Sequence, residues 1–530
     1  MLRSLYAVQQ RQSYSLGHGV NPLVVNLAFS YLHRWMIHSV IAFLWICFLT
    51  PIRLIWIALH CLSVVEPPKQ LVLGDPQRLN QNLHIRHLLL QRIYCSNTSG
   101  NHPAAAEREV CREEAAAMEP CGDQFDVVVV GAGIMGSCAA YEAAKRGCSV
   151  LLLEQFDFLH QLGSSHGESR TIRATYPEEY YPPMVLEAHR LWEAAQSEAG
   201  YRVLTRTPHF DMGPADNRSL RSVIASCERQ SSVNVRLLDR AAVDEMFSGT
   251  FRLPEGWIGV RSDAGGVIKP TKAVAMFQAL AIRRGAVLKD HMEVTGIKKD
   301  EEDRGVRVST ATGDSFLGKK CVVTVGPWSS KLVKAVSGHV LPIQPLHTTI
   351  CYWKIKEGHE HEMTPEGGFP TFASYGEIYV YGTPSMEFPG LIKIGLHGGR
   401  PCDPDRRDWT SNSGMLVDAV GSWIDQMLPG KVETDKPVII QSCMYSMTPD
   451  EDFVIDFLGG ELGKDVVVAG GFSGHGFKMG PVVGRTLAEL AIDGAADGVE
   501  LKHFRLGRFT EDSNGNAKDF DDQVSSHLHQ

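Results

Sequence analysis

The sequence predicts an α/β protein in which a Rossmann-type domain is interleaved with a strand-rich α+β domain. The run Phe125–Val130 reads FDVVVV, which suits a strand buried on both faces, and it leads directly into a glycine turn. A helical segment and a second apolar run, 149–153, follow and end at Glu154. Farther along the chain, strand-like runs outnumber helical ones, so we expect a second domain built mainly on a sheet. The first 117 residues share neither pattern and form an atypical N-terminal extension.

The glycine turn reads GAGIMG, and each glycine in it has a physical task. Gly131 permits the tight turn, Gly133 lets the backbone approach a pyrophosphate, and Gly136 lets helix and strand pack closely. The free N–H groups at the start of the following helix attract that pyrophosphate. Glu154 lies about 20 residues beyond the glycines, where a carboxylate accepts hydrogen bonds from ribose hydroxyls. The whole unit therefore predicts a dinucleotide-binding site.

Two later segments indicate which dinucleotide is bound. Residues 163–173 (GSSHGESRTIR) follow the second strand, where a flavin enzyme places small residues and arginines around its flavin. Residues 464–484 combine another strand with a glycine-rich turn, but the sequence contains no second GxGxxG that would bind NADPH. We therefore expect FAD as the cofactor and an organic substrate as the source of electrons.

The order of predicted elements divides the rest of the chain. Helices are expected at 137–146 and 271–284, and strands at 306–310 and 391–396, among others. We assign 118–204, 263–336 and 441–505 to the FAD-binding domain, 205–262 and 337–440 to the substrate domain, and 506–530 to a flexible tail. The active site is expected where the two domains meet.

Five motifs give the chain a resemblance to the monomeric sarcosine oxidase and pipecolate oxidase family of FAD-dependent amine oxidases. In chain order they are GAGIMG, GSSHGESRTIR, IKIGLH (392–397), CMYSMTPDEDFVID (443–456) and GGFSGHGFKMG (470–480). The resemblance extends from about Phe125 to about residue 505. It implies hydride transfer from the carbon beside a secondary amine to flavin N5, hydrolysis of the imine, and reduction of O₂ to H₂O₂. Sarcosine and L-pipecolate are the implied substrates, and the sequence leaves the choice between them open.

The resemblance implies a thioether between Cys443 and the 8α-methyl group of the flavin. The thiolate is the nucleophile, so a partly exposed cysteine near cationic groups is the reactive kind. Considered without its motif, Cys443 is equally a small buried hydrophobic residue.

The resemblance also gives roles to residues that contact substrate and oxygen. Arg173 and Lys478 resemble the pair that holds the substrate carboxylate, and His397 resembles the histidine that contacts the amine. Lys393 resembles the lysine that activates oxygen, because a fixed positive charge stabilises the superoxide that forms. Without the motifs, the charged residues would be interpreted as solvated surface charges and the histidine as a structural hydrogen-bonding group.

The remaining implied residues surround the flavin. Arg170 resembles the arginine near the flavin ring, and Tyr381 and Tyr445 resemble active-site tyrosines, although strand tyrosines are ordinarily core residues. Further FAD contacts are implied for Ser164, Val294, Gly474 and Lys478.

Composition excludes other classes of function. The formal charge of −9 provides no basic surface for nucleic acid. The HEHE run at 359–362 lacks the HExxH spacing, so we expect a solvated loop and no metal site. The 12 cysteines form no CxxC pair and are interpreted as reduced thiols of an intracellular protein.

The N-terminal extension, 1–117, has three interpretations. Its apolar stretch 36–65 is long enough to span about 30 Å of hydrocarbon, but Pro51 and Arg53 interrupt it. Its arginine-bearing, acid-free beginning is typical of a transit peptide. Met118 lies just before the first strand, so a translation start there would give a complete enzyme. The extension is therefore a membrane anchor, a targeting segment or upstream sequence absent from the working protein.

The sequence also leaves open more than one cellular location and more than one function for this protein. The resemblance implies a peroxisomal monomer acting on a small amino acid and O₂, although Ser526–Leu528 resembles the SKL signal at a position short of the C terminus. The extension instead allows a membrane-associated or organellar location. The rival functions are a glycine or D-amino acid oxidase, which Cys443 and Lys393 disfavour, a membrane-linked dehydrogenase with another electron acceptor, and a catalytically silent flavoprotein.

Overall fold

The computed structural model describes residues 124–230, 233–406 and 414–520, which belong to one compact unit. The predicted extension with its apolar stretch 36–65, and the SKL-like Ser526–Leu528, lie outside the described residues. Among the residues that are described, no helix combines the length and apolar character needed to cross a membrane.

The first sheet has the predicted Rossmann-type arrangement. Its strand order is β17-β18-β10-β1-β2-β7, with β9 paired to β10 and β8 paired to β9. The neighbouring strands from β18 to β7 run parallel, and β17 is antiparallel to β18. The strands are β1 (Phe125–Val130), β2 (Val150–Leu153), β7 (Val287–Lys289), β8 (Val294–Lys299), β9 (Val306–Thr310), β10 (Ser315–Val323), β17 (Val454–Gly459) and β18 (Gly463–Gly470).

The second sheet is mixed and has the order β15-β11-β14-β13-β12-β4-β6-β3. Strand β16 pairs with β11 and strand β5 with β6. The strands are β3 (Arg170–Ile172), β4 (Leu204–Pro214), β5 (Val235–Leu238), β6 (Trp257–Ile268), β11 (Gln344–Lys354), β12 (Thr371–Tyr375), β13 (Tyr379–Thr383), β14 (Leu391–Leu396), β15 (Arg400–Pro401) and β16 (Ile439–Met447). The α/β class and the strand-rich second sheet predicted from the sequence are confirmed.

Helices cover the sheets and close the loops between them. The α-helices of the described residues are α1 (Ile134–Lys145), α2 (Tyr181–Ala199), α3 (Arg218–Arg229), α4 (Arg240–Met246), α5 (Pro270–Arg283), α6 (Ser329–Ser337), α7 (Gly414–Met427), α8 (Gly480–Asp493) and α9 (Arg508–Glu511). Short 3₁₀ turns lie at Gly326–Trp328, His361–Met363, Gly460–Leu462, Phe477–Met479 and Leu501–His503.

Strand β1 is buried on both faces, as its unbroken apolar run predicts. Val127 and Val129 belong to the hydrophobic cluster formed with α1, α5 and α8, whereas Val128 and Val130 belong to the cluster on the opposite face. Alternate residues of a strand point to opposite faces, so both faces of β1 need apolar side chains. This burial places the end of β1, and the glycine turn after it, at the carboxyl edge of the parallel sheet.

The helix after the turn begins earlier than the sequence suggested. It starts at Ile134, with Gly133 as its N-cap, instead of at residue 137. Gly136 is therefore inside the first turn of the helix, where a Cβ would overlap the carbonyl oxygen of Gly131. Gly136 is therefore needed for the close approach of the first helical turn to Gly131, in addition to the glycines that form the turn.

Candidate active site

A cavity of about 570 Å³ lies between the two sheets and collects the predicted site residues. It is lined by Gly131, Gly133, Glu154, Ser164, Arg170, Arg173, Val294, Tyr381, Lys393, His397, Cys443, Tyr445, Gly474 and Lys478. Gly136 does not line it, since it lies within α1, where it allows close packing. Residues from β1 to β16, and from the segment after β18, contribute to one continuous space, so the motifs that are distant in sequence converge here.

The glycine turn forms one end of the cavity. Gly131 has φ of +94°, and a Cβ on it would lie 2.6 Å from the carbonyl oxygen of Thr324. The backbone N–H of Ala132 donates to the Glu154 carboxylate at 2.8 Å, which ties the turn to the end of β2. The Ser165 hydroxyl accepts from the N–H of Ile134 at 3.1 Å. A glycine turn at a helix start, with a buried carboxylate beside it, is the arrangement that dinucleotide sites use.

Arg170 and Cys443 meet farther along the cavity. An Arg170 guanidinium nitrogen lies 3.5 Å from the Cys443 sulfur and also donates to the carbonyl oxygens of Ser164 and His166 at 3.1 and 2.8 Å. The Cys443 side chain is buried, and its residue pairs with Thr348 of β11. A guanidinium therefore lies beside the sulfur that the resemblance assigns to the flavin link.

Arg173 and Lys478 converge on one tyrosine, Tyr176. The Lys478 ammonium donates to the Tyr176 hydroxyl at 2.8 Å, and the Arg173 guanidinium lies 4.4 Å from the centre of the Tyr176 ring. Arg173 also donates to the Tyr379 hydroxyl at 3.2 Å and to the carbonyl oxygen of Thr175. Burial and the neighbouring Arg173 hold the pKa of Lys478 well below its usual value. Two basic groups thus face the same part of the cavity, and a bound anion would favour the ammonium form of Lys478. We call Arg173 and Lys478 the cationic pair.

His397 lines the same cavity as this pair. Its ring lies 5.4 Å from that of Tyr379 and 5.1 Å from that of Tyr445, and its buried Nε2 atom has no hydrogen-bond partner in the described structure. Burial, with Arg173 and Lys478 adding to it, lowers the pKa of His397 to about 3. The imidazole is therefore neutral. Gly474 packs against it so closely that a Cβ would lie 2.8 Å from His397 Cε1.

Lys393 is buried on strand β14, on the other side of the cavity. Its ammonium donates to the carbonyl oxygen of Ser169 at 2.9 Å and lies 5.7 Å from the centre of the Tyr381 ring. Burial and the charge of Arg170 lower the pKa of Lys393 to about 7. The charge state of this lysine therefore changes near neutral pH.

Three residues of the site were not predicted from the sequence: Tyr176, Tyr379 and His475. Tyr176 bridges the cationic pair, and its hydroxyl also lies 3.2 Å from Nδ1 of His475. Tyr379 belongs to the aromatic strand β13, where tyrosines are ordinarily core residues. Only the position of Tyr176 close after Arg173 offered a sequence signal.

The residues present fit FAD. The glycine turn and Glu154 line the same cavity as Arg170, Cys443 and Lys393. His397, whose buried Nε2 has no hydrogen-bond partner among the described residues, lines it together with Arg173 and Lys478. The cavity therefore offers a place for a dinucleotide and, next to it, a polar pocket for a small acidic amine.

Comparison with known proteins agrees with this geometry. A family model described as FAD dependent oxidoreductase (DAO) matches residues 126–490. The fold and the site thus define a flavin-dependent oxidoreductase, and FAD is its cofactor. NikD, an unusual amino acid oxidase of known structure, superimposes with a TM-score of 0.62 at 26% identity, covering 72% of this chain and 97% of its own.

Curated relatives identify the family within this class of flavin-dependent oxidoreductases. A probable sarcosine oxidase of Arabidopsis thaliana is 60% identical over 404 residues, which cover 76% of this chain and 96% of the relative. The peroxisomal sarcosine oxidase of Homo sapiens is 35% identical over 397 residues, 73% of this chain and 97% of the relative. The chain therefore belongs to the sarcosine oxidase family of FAD-dependent oxidoreductases.

Proposed function

We propose that this protein oxidises secondary-amine amino acids, sarcosine or L-pipecolate, with FAD as cofactor and O₂ as electron acceptor. One observation carries the proposal: Arg173, Lys478 and His397, with its unpartnered Nε2, line the same cavity as the predicted flavin-binding residues. A carboxylate and an amine on adjacent atoms are the ligand that such a pocket fits.

The cationic pair would hold the substrate carboxylate. Arg173 presents a planar donor and Lys478 an ammonium, and both rest on Tyr176, which fixes their separation. An anion that enters the pocket would raise the pKa of Lys478 again, because a nearby negative charge favours the ammonium form. Charge-assisted hydrogen bonds of this kind are about twice as strong as neutral ones.

The neutral imidazole of His397 would orient the amine. The amine reacts with its lone pair free, so it must be unprotonated when the adjacent C–H bond breaks. A protonated histidine here would add a third positive charge, and the pKa of about 3 for His397 excludes that at physiological pH. Burial thus keeps the group in the state that the reaction needs.

FAD, when bound, accepts hydride from the substrate and passes two electrons to O₂. The chain contributes Lys393, whose buried ammonium provides positive charge where oxygen is reduced. Tyr381 lies under that ammonium, and Tyr445 lies beside His397. We assign these four residues to the reaction site and assign Arg170 to the flavin ring.

Attachment of the flavin through Cys443 is part of the proposal. The Cys443 sulfur lines the cavity and has the Arg170 guanidinium at 3.5 Å. Cationic groups are typical neighbours of reactive cysteines. Forming the thioether would replace one S–H and one C–H bond with a C–S bond, and the two protons and two electrons released would reduce O₂ to H₂O₂. Yellow colour that stays with acid-precipitated protein tests this link, and colour released into the supernatant would disprove it.

The proposed activity is tested by anaerobic bleaching of the flavin at about 450 nm with a panel of amines. We expect bleaching by sarcosine and L-pipecolate, and much slower bleaching by sarcosine amide, which lacks the carboxylate. Bleaching by D-alanine or glycine alone would favour the glycine or D-amino acid oxidase alternative. No bleaching by any compound would indicate a catalytically silent flavoprotein.

We also propose that the interleaved domain assignment holds, with 118–204, 263–336 and 441–505 binding FAD.

We further propose that the protein acts in peroxisomes as a monomer. The peroxisomal human relative supports the location. Co-localisation of the tagged full chain with a peroxisomal marker is the expected result, and a mitochondrial or membrane pattern would contradict it. Light scattering that gives the mass of one chain would support the monomer.

A further inference from the structure

Lys518, in the C-terminal segment after α9, is held in an anionic pocket. Its ammonium lies 2.9 Å from a Glu178 carboxylate oxygen, 2.9 Å from an Asp452 oxygen and 3.1 Å from the Tyr180 hydroxyl. The Lys518 side chain is only 13% exposed, and that of Asp452 is fully buried. Burial works to lower the pKa of Lys518, but the two carboxylates outweigh it and the pKa is raised.

The two carboxylates come from segments that lead directly into the substrate pocket. Glu178 follows Arg173 and Tyr176 in the loop between β3 and α2. Asp452 lies in the loop between β16, which carries Tyr445, and β17. Lys518 thus joins two loops that adjoin cavity-lining residues, one next to Arg173 and the other next to Tyr445.

Two tyrosine hydroxyls add hydrogen bonds where Lys518 joins the Glu178 and Asp452 loops. Tyr180 and Tyr181 both donate to the Asp452 carboxylate, at 2.7 and 2.8 Å. The ring of Tyr181 lies 4.9 Å from that of Tyr176, and the two tilt against each other. A displacement of Asp452 is therefore transmitted by direct packing to the tyrosine on which the carboxylate-binding pair rests.

A second path reaches the same tyrosine through His475. The carbonyl oxygen of Glu451, adjacent to Asp452, lies 3.0 Å from His475 Nε2, and Nδ1 of that ring contacts the Tyr176 hydroxyl at 3.2 Å. Lys478 in turn donates to the carbonyl oxygen of His475 at 2.7 Å. Both paths end at the groups that face the substrate carboxylate.

Lys518 supplies the positive charge that balances the Glu178 and Asp452 carboxylates. The nearby Arg508 guanidinium instead pairs with the Asp450 carboxylate, through two contacts of 2.7 and 3.1 Å. Burial raises the pKa of Glu178, Lys518 opposes that rise, and Asp452 adds to it. Without the ammonium, Glu178 and Asp452 become two buried carboxylates facing each other, and an uncompensated buried charge is strongly destabilising.

We propose that Lys518 is a positioning residue for the substrate carboxylate: it holds the Glu178 and Asp452 loops together and thereby fixes Tyr176 beneath Arg173 and Lys478. The C-terminal segment is on this basis part of the binding machinery, although Lys518 does not line the cavity. The inference rests on the proposed function for the identity of the substrate.

The test compares Lys518→Met with Lys502→Met in the full chain loaded with FAD. Lys502 is a matched control because it is a lysine shortly before α9 that pairs with Glu500 while its side chain is 68% exposed. We expect Lys518→Met to raise KM for sarcosine or L-pipecolate about tenfold, with kcat changed less than about twofold, and Lys502→Met to change neither. Lys518→Arg, which keeps the charge, should restore most of the affinity.

Charge balance is tested by a second variant. Adding Glu178→Gln to Lys518→Met removes one of the two facing carboxylates, so KM should return to within about threefold of the wild type. Lys518→Met should also lower thermal stability, because it leaves two buried carboxylates facing each other. A purely structural role predicts that this loss of stability occurs while KM of the folded, FAD-loaded protein stays at the wild-type value. An unchanged KM in Lys518→Met, or a raised KM that Glu178→Gln fails to lower, would overturn the inference.

A binding readout separates this inference from the proposed reaction. Titration with acetate, followed by the change in flavin absorbance, measures carboxylate affinity without turnover. A tenfold weaker acetate Kd in Lys518→Met supports the positioning role even if no amine is oxidised, which would refute the proposed function alone. An acetate Kd equal to that of the wild type would overturn the positioning role.

Discussion

Replacement of Lys393 by methionine should separate the two halves of the reaction. Methionine keeps the unbranched apolar shape but removes the ammonium, which donates to Ser169 at 2.9 Å and is almost fully buried. The positive charge matters where O₂ takes up electrons and acquires negative charge. Substrate oxidation delivers hydride elsewhere in the pocket and should depend on this charge much less.

The size of the effect follows from Coulomb attraction. Two unit charges about 4 Å apart interact by about 4 kcal/mol at an effective dielectric constant of about 20. Loss of a single preorganised donor from a charge-stabilising site lowers rates by about 10² to 10³-fold. We therefore expect Lys393→Met to slow flavin reoxidation by about 10² to 10³-fold and flavin reduction by less than about fivefold.

Stopped-flow absorbance measures both steps in one preparation. Reduction is followed without oxygen after mixing with sarcosine or L-pipecolate, and reoxidation after mixing the reduced protein with O₂. Lys354→Met is the control, since Lys354 lies on the neighbouring strand β11 and pairs with Glu433 on the surface. Equal loss in both steps of Lys393→Met would refute the role in oxygen reduction.

The pH dependence of reoxidation provides a second check on Lys393. Its pKa of about 7 means that the charged form is present at pH 6 and is lost as pH rises through 7, so reoxidation should slow over that range. The lowered pKa of Lys393 should also make the folded protein more stable as pH rises. Between about pH 7 and 10.5, Lys393 is protonated in the unfolded chain but not in the folded one, so the free energy of unfolding should rise with pH over that range. Lys393→Met should abolish this rise.

Three further substitutions test the rest of the site. Cys443→Ala should leave FAD extractable by acid while the wild type retains it on a denaturing gel, and retention in the variant would disprove the attachment. Gly474→Ala should raise KM about tenfold, because its φ of +76° and a Cβ only 2.8 Å from His397 Cε1 force the imidazole to move. Gly430→Ala, which has the same φ but open space around it, should show normal kinetics, and equal effects in both would point to backbone strain alone. Arg173→Lys should lower kcat/KM about 10²-fold through loss of the planar donor pair, and a change below threefold would remove Arg173 from carboxylate binding.

The nucleotide-binding half of the site could be predicted because each of its residues is dictated by local backbone geometry. Gly131 has a positive φ, Gly136 leaves no space for a Cβ, and Glu154 ends a fully buried strand. These requirements leave direct traces in the sequence. The strands β1, β9 and β14 likewise have the predicted bounds, because short apolar runs flanked by polar residues define them.

The substrate half depended on contacts between distant parts of the chain. Tyr176 touches Lys478 across more than 300 residues of sequence, and apart from its position close after Arg173 nothing nearby distinguishes it from a core tyrosine. Lys518 was assigned to a flexible tail on composition, yet it is mostly buried between two carboxylates. Long-range charge pairing of this kind has no periodicity, so pattern analysis does not detect it.

The central claim, that this protein is an oxidase of secondary-amine amino acids, is tested most directly by the peroxide yield. The full chain loaded with FAD is supplied with sarcosine or L-pipecolate in air, and peroxide is measured against substrate consumed. The account predicts one H₂O₂ for each amino acid oxidised. Consumption of substrate without peroxide, sustained only by an added electron carrier, would contradict it and identify a dehydrogenase.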